Sequence, residues 1–273
     1  MELDGKVALV LGAIKGIGKA IGLSLAREGV MVALNYFDWE ESLEAMKHDF
    51  KATGARHMIL KTDLLDTAAI PALINTVLDA FGRLDILINN IERGGWPVVH
   101  GRYVAQQWDL EMATTLRAKW WVYDCALPHL KASGDGAVVN ISSIAALTGR
   151  CGPAGRVFND GYAAANRAVS SLTEAWARQA APEVRVNELM LGFTETRHGP
   201  GTRGWGILTR AQQQEIIDHT LLRRLGTFDD VTRAVLFILR DAPFMTGSAA
   251  RLDGGYVLGG EFIEPIPKGV IGT

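Results

Sequence analysis

The sequence predicts an α/β fold: a doubly wound parallel sheet with helices on both faces, in three layers. Three observations predict it. Short apolar runs alternate with stretches of helical period along the whole chain. The runs are apolar on both faces, as strands buried between two helix layers are. A glycine cluster, "GAIKGIG", directly follows the first run and opens the first helical stretch. Alternation repeated in this way builds right-handed βαβ units.

Taken in order, the first strand covers Val7–Leu11, and the helix after it carries Ile17, Ile21, Leu25 and Ala26 on one face. Strands follow at Met31–Asn35 and Met58–Thr62. A helical stripe of Ala69, Leu73, Ile74, Val77 and Phe81 then leads to a strand at Ile86–Asn89. Further strands cover Ala137–Ile141 and Val184–Leu191. A last helix holds Val231, Val235 and Ile238 before a final strand at Ala249–Leu252. No long linker and no short repeat interrupts this rhythm, so residues 1–260 form a single domain. Residues 197–214, rich in Gly and Arg, follow a strand end, where a substrate-covering loop belongs; a plain connection is the other reading. The tail, 261–273, has two prolines and no helical period, and packs on a neighbouring surface or subunit.

Composition limits the function classes. With 273 residues, 48% of them hydrophobic, the chain can bury one large core. A net charge of −2, a pI of 6.3 and no Lys/Arg-rich run exclude a nucleic-acid partner. Cys125 and Cys151 are too few for a disulfide framework and fit a reducing compartment. The N-terminus does not read as a signal peptide, and no run reaches the roughly 18–20 apolar residues that span a bilayer. The expectation is a soluble cytoplasmic protein with no membrane partner and no metal.

The glycine loop carries the first chemistry. Gly12, Gly16 and Gly18 permit a tight turn and let the backbone approach a diphosphate. The following helix offers free N–H groups and the positive end of its dipole. The second strand ends at Tyr36, not at the acid that would bind a ribose 2′-hydroxyl. Lys15 in the loop can pair with a 2′-phosphate, which leans the cofactor toward NADP over NAD; Asp38 and Glu40 lean the other way. Lys15 as an ordinary solvated lysine stands beside that reading.

At this point the chain resembles a short-chain dehydrogenase/reductase, of the 3-oxoacyl-acyl-carrier-protein reductase type, over about residues 4–260. The resemblance rests on "LGAIKGIG", "DILINN", "VVNISSIAA", "GYAAANRAVSSLTEAWA", "RVNELMLGFTET" and "MTGSAARLDGG". It implies a seven-stranded Rossmann-type sheet, a nicotinamide cofactor, and hydride transfer between that cofactor and a small carbonyl or alcohol. It also implies a homodimer or homotetramer. Asp63 would touch the adenine, Asn89 would lie near its ribose, and Thr194 and Thr196 would hold the nicotinamide carboxamide. Ile17, Tyr36, Leu64 and Gly192 complete the implied cofactor lining.

The resemblance further implies a tetrad. Ser143 matches the residue that binds the substrate oxygen, with Ser142 as the alternative, and Tyr162 matches the proton donor. Here the sequence departs from the family. The lysine position holds Asn166 and the asparagine position holds Thr115. The usual "NNAG" turn reads "NNIE", with Ile91 and Glu92; Leu191 stands before Gly192; extra residues fill 149–160.

Tyr162, Ala165, Asn166, Val169, Leu172, Thr173 and Trp176 form one helical stripe, so Asn166 lies over Tyr162 and faces inward. Arg167 is about 100° around the helix and cannot substitute. A free tyrosine has a pKa near 10; a neighbouring ammonium lowers it, and a neutral amide does not. Compensating cations could come from Arg150, Arg156, Arg197, His198 or Arg203, each of which also reads as a solvated loop charge; Glu92 is a new polar group nearby. Two functions therefore stand: an oxidoreductase with a slow or rebuilt site, and a dinucleotide-binding sensor or partner subunit without turnover. Another reaction on this fold, a lyase or isomerase step, is a third. Trp96, Trp108, Trp120 and Trp121 read as aromatic walls, core packing or a subunit interface.

Overall fold

The computed structural model describes residues 1–92, 104–195, 206 and 208–260. Strand β1 (Val7–Val10) leads through α1 (Gly16–Arg27) to β2 (Met31–Tyr36), then through α2 (Leu43–Thr53) to β3 (His57–Lys61). Helix α3 (Ile70–Phe81) returns the chain to β4 (Ile86–Asn89). Next come α4 (Ala105–Glu111), a π-helical turn (Met112–Arg117) and α5 (Ala118–Ala132), continuous along one axis, and then β5 (Gly136–Ser143). The short α6 (Ala145–Thr148) and the long α7 (Asp160–Ala180) precede β6 (Val184–Leu191). Helices α8 (Arg210–His219) and α9 (Phe228–Leu236) precede β7 (Ala249–Leu252).

The seven strands are all parallel, in the order β3-β2-β1-β4-β5-β6-β7. The order reverses between β1 and β4, and the crevice outside the carboxyl ends of those strands is where such sheets take ligands. One face of the sheet packs Ala8, Val10, Val32, Leu34, Ile86, Ile88, Val139 and Leu189 against α1, α2 and α9. The other packs Val7, Leu9, Leu87, Val138, Val184 and Val186 against α3, α5 and α7. Burial of this kind, about 25 cal/mol per Å² of apolar surface, is what holds the three layers together.

The expected elements are present with shifted ends. Strand β5 runs further than the sequence suggests, to Ser143, because its last residues are polar but buried. Strand β7 is not apolar on both faces: its residues alternate between exposed and half-buried, as an edge strand can afford. The end of the expected 197–214 loop is helical instead. Thr209 and Gln212 form a capping box that starts α8 inside it. The rest of that loop, except Gly206 and Leu208, lies outside the described residues, as does the tail at 261–273.

Beyond the carboxyl edge, a third apolar cluster joins Ile144, Ala154, Met190, Leu208, Ile216 and Tyr256. It fixes the extra segment after β5, which forms a 3₁₀ turn at Gly152–Arg156. The Ala154 N–H donates to the Tyr256 hydroxyl at 2.7 Å, and Arg156 pairs with Glu215 of α8. Among the described residues, no helix is long and apolar enough to cross a membrane.

Candidate active site

The glycine loop sits at the reversal point of the sheet. Gly12 (φ +62°) is required by close approach: a Cβ there would lie 2.6 Å from the Asn90 carbonyl oxygen. A Cβ on Gly18 would lie 2.2 Å from the Gly12 carbonyl oxygen. Gly16 (φ +60°) faces open space, leaving its backbone approachable by a ligand. The Asn90 side chain donates to the Leu11 and Gly12 carbonyls at 3.3 and 3.4 Å, tying the loop to the end of β4. Asn90, not Asn89, therefore reaches the loop, and the sequence reading did not single it out. Asn89 points into the interior, donating to the Asn140 Oδ1 at 3.2 Å and the Lys119 carbonyl at 3.4 Å.

Lys15 caps the start of α1 in extended conformation, and its ammonium lies 2.8 Å from the centroid of the Trp39 ring. Burial lowers its pKa, opposed by the charges of Glu41 and Asp38. Ile17 is half-buried in the first turn of α1, and Tyr36 is buried at the tip of β2. Asp63 accepts the Leu65 N–H at 2.9 Å, and Leu64 is buried beside it. Gly192 is needed for packing, since a Cβ would lie 2.6 Å from the Asp253 Cα. Thr194 pairs with Gly226 and donates to the Gly192 carbonyl at 3.5 Å. Thr196 lies outside the described residues.

The two serines of β5 face opposite sides. Ser142 turns toward α7 and donates to Glu188 of β6. Ser143, opposite Leu191 in the register, accepts the Ala145 N–H at 3.1 Å and stands at the strand end. Helix α7 begins with Asn159, whose side chain accepts the Tyr162 N–H at 2.7 Å and fixes that residue in the first turn. The Tyr162 ring is 5.8 Å from that of Phe158, which stacks on Phe193 at 5.4 Å and 11°. Phe193 lies two residues past Leu191, so this aromatic row brings Tyr162 to the carboxyl edge that Ser143 occupies.

Asn166 is fully buried one turn on from Tyr162, while Arg167 is exposed, as the stripe requires. Its Nδ2 donates back to the Tyr162 carbonyl at 3.0 Å, and its Oδ1 is buried without a hydrogen-bond partner among the described residues. Thr115 is buried in the π-helical turn, and its hydroxyl donates to Glu111 at 2.9 Å. Of the candidate cations, Arg156 is engaged with Glu215 and Arg150 is exposed. Arg197, His198 and Arg203 lie outside the described residues. Glu92 is exposed just past β4.

The sequence reading passed over a different cation. Lys119 of α5 has no solvent exposure, and its Nζ donates to the Ile141 carbonyl at 2.5 Å. Burial pulls its ammonium down to about 8, opposed by Glu92 and Glu188. Glu188, in the middle of β6, is also fully buried; burial raises its carboxyl, against hydrogen bonds from Ser142 and Ser170 and the charges of Lys119 and Arg167. Ser170, one turn beyond Asn166, donates to Glu188 at 3.2 Å. A polar layer between the sheet and α7 thus joins Glu188, Ser142 and Ser170, with the buried charge of Lys119 acting on Glu188 and Asn166 one turn before Ser170 on the same helix. Among the described residues, no cluster of His, Cys, Asp and Glu could hold a metal ion.

An open, all-parallel sheet with a glycine loop at its reversal point is the architecture of the Rossmann-type nucleotide-binding class. Comparison with known proteins agrees. Residues 12–257 match the family described as enoyl-(acyl carrier protein) reductase. The chain is 31% identical over 254 residues to the 3-oxoacyl-[acyl-carrier-protein] reductase FabG of Staphylococcus aureus, covering 92% of this chain and 97% of that protein. It is 32% identical over 263 residues to the 1,6-dihydroxycyclohexa-2,4-diene-1-carboxylate dehydrogenase of Pseudomonas putida, covering 93% of each. A solved short-chain alcohol dehydrogenase from Sinorhizobium meliloti superposes with a TM-score of 0.82 at 27% identity, over 95% of this chain and all (100%) of that one. The chain belongs to the short-chain dehydrogenase/reductase family.

The buried lysine predicts a stability profile. Between about pH 8 and the unfolded value near 10.5 the folded state binds fewer protons than the unfolded one, so stability rises with pH across that window. At pH 7 the buried charge costs roughly 3 kcal/mol by that shift, offset in a neutral variant by about 1–3 kcal/mol for the unpaired Ile141 carbonyl. Lys119→Met is expected to be at least as stable as the wild type at pH 7. Its advantage should shrink as pH is raised toward 10.5, which urea unfolding across the range measures.

Proposed function

We propose that the protein is an NADP-preferring oxidoreductase that moves a hydride between nicotinamide and a small carbonyl or alcohol. The observation that carries this reading is the placement of Tyr162 and Ser143 at one carboxyl edge, next to a glycine loop shaped by close backbone contacts. The fit to a dinucleotide is supported by the open face of Gly16 and by the buried, unpartnered Oδ1 of Asn166. Gly12, Lys15, Gly16, Ile17 and Gly18 would hold its diphosphate end, and Tyr36, Asp63 and Leu64 the adenosine; Thr194 would hold the other end. The bound nicotinamide supplies or accepts the hydride.

The chain's own residues do the rest. Ser143 holds the substrate oxygen by its hydroxyl. Tyr162 delivers a proton to that oxygen in reduction and recovers it in oxidation. Phe158 and Phe193 wall the space beside the phenol and exclude water from it. Lys15, over the Trp39 ring, supplies the positive charge for a 2′-phosphate at a strand tip that lacks the acid a bare ribose would use. Asn166 in the lysine's place favours a second reading, a dinucleotide-binding sensor without turnover. Tight NADPH binding with no reaction across a carbonyl panel would favour that one.

For self-association, we infer that the face of α5 and α7 meets a second copy of the chain. A groove of about 800 Å³ there is lined by Trp108, Met112, Leu116, Trp120, Trp121 and Leu172, and the three tryptophans are exposed. Contiguous exposed apolar surface of this kind marks a contact site.

Three outcomes are expected. Tyr162→Phe should lower kcat/KM by about 10²–10⁴-fold while NADPH affinity is retained, which steady-state kinetics and calorimetry separate. Removing the 2′-phosphate partner in Lys15→Ala should weaken NADPH binding about tenfold, the worth of one charge-assisted hydrogen bond, and leave NADH binding unchanged. Light scattering should find more than one copy in the wild type and a smaller assembly in Trp121→Glu.

A further inference from the structure

We propose that Lys119, reaching from α5, is the positioning residue that sets an ammonium behind Tyr162, so that the cation absent from α7 at Asn166 is supplied from the neighbouring helix. This rests on the proposed role of Tyr162 as the proton donor.

The argument begins with the strand ends. Asn89 is the last residue of β4 and stands opposite Asn140, but β5 runs on to Ser143. The Ile141 carbonyl lies past the end of β4, and the Lys119 Nζ occupies it at 2.5 Å. That carbonyl is two residues before Ser143 on the same strand. The ammonium is thus held at the carboxyl edge, in the layer that α7 covers.

An ammonium has three donors, and the described residues account for one of them here. The same layer holds acceptors without a partner among the described residues: Asn166 Oδ1 on α7, Asn89 Oδ1 on β4 and Glu188 Oε2 on β6. Unspent donors and unspent acceptors in one buried layer mark a site built for a further polar group, such as a ribose hydroxyl or a water. Asn166 brings an acceptor, its Oδ1, where a lysine would bring only donors. Lys119 brings the charge.

The charged groups that act on Lys119 are Glu92, beyond β4, and Glu188 on β6; Arg167, on the exposed side of α7, acts on Glu188. An ammonium beside a phenol favours the phenolate.

The test reads the phenol directly and needs no substrate. Phenolate absorbance is followed against pH in the wild type and in Lys119→Met, each with its Tyr162→Phe counterpart subtracted. Tyr123 and Tyr256 do not confuse the signal, since burial pushes both upward, Tyr256 to about 12. The wild-type Tyr162 signal is expected to begin at least about one unit lower in pH than in Lys119→Met, the size of a nearby opposite charge's effect. Superimposable signals would overturn the proposal. Should Lys119→Met fail to fold, Lys119→Arg replaces it: a permanent charge should move the signal lower than in the wild type, and no movement would overturn the proposal.

Kinetics add a second readout. Lys119→Met should lose about 10–100-fold in kcat with substrate KM unchanged, and adding Asn166→Lys should restore most of it. A responsive phenol in a protein that turns over nothing would uphold this inference and end the proposed oxidoreductase. An unresponsive phenol in an active enzyme would do the reverse.

Discussion

Adjacent strands of this sheet stop at different heights, and the site depends on that stagger. Where β4 ends at Asn89, β5 continues to Ser143, and its backbone loses a strand partner on one side while still buried. A buried carbonyl left unpaired costs about 1–3 kcal/mol, so something must occupy it. On the side where β5 still has a neighbour, β6 pairs with it as far as Leu191. On the open side the occupant is a lysine. One backbone requirement therefore fixes the position of an ammonium, and that position falls beside the residues that match the family's chemistry.

The fold was legible because burial writes it into the sequence twice. Strands covered on both faces are apolar runs, and helices covering them carry stripes; "VALVL" and the Tyr162 stripe could be read for that reason. The edge strand β7 was misread because its four residues carry too little pattern to distinguish one covered face from two. Helix α8 was missed because most of its surface is polar, and only its capping pair, Thr209 and Gln212, announces it. The glycine loop was legible through spacing, whereas the contact that demands Gly12 comes from Asn90, seventy-eight residues away. No local pattern reports that.

Lys119 was illegible for a related reason. In "RAKWW" a lysine beside tryptophans looks like a surface charge, and sequence alone does not say which side faces the sheet. The signal that could have exposed it was paired. Lys119 falls on the stripe with Val122, Ala126 and Leu130, and Glu188 sits in the middle of the strand "VRVNELML". Each is an anomaly alone; two opposite charges on covered faces of neighbouring elements are an argument. Of the cations that the sequence offers instead, Arg156 is tied to Glu215 of α8.

The π-helical turn explains how one helix can present this polar column at all. Gln107, Glu111, Thr115 and Lys119 are all buried, at a constant spacing of four residues. In a plain α-helix each such step drifts about 40° around the axis, so the column would wander about 120° and leave the covered side. Wider turns over Met112–Arg117 slow the winding and keep successive members facing inward. The same turn points the Thr115 hydroxyl back to Glu111 and leaves Lys119 as the column's end, at the sheet. A π-turn is less favourable than the α-helical one it replaces, and a buried ammonium costs more still. Such costs persist where a structure needs the group in that place, and here the place is the carboxyl edge, at the Ile141 carbonyl two residues before Ser143.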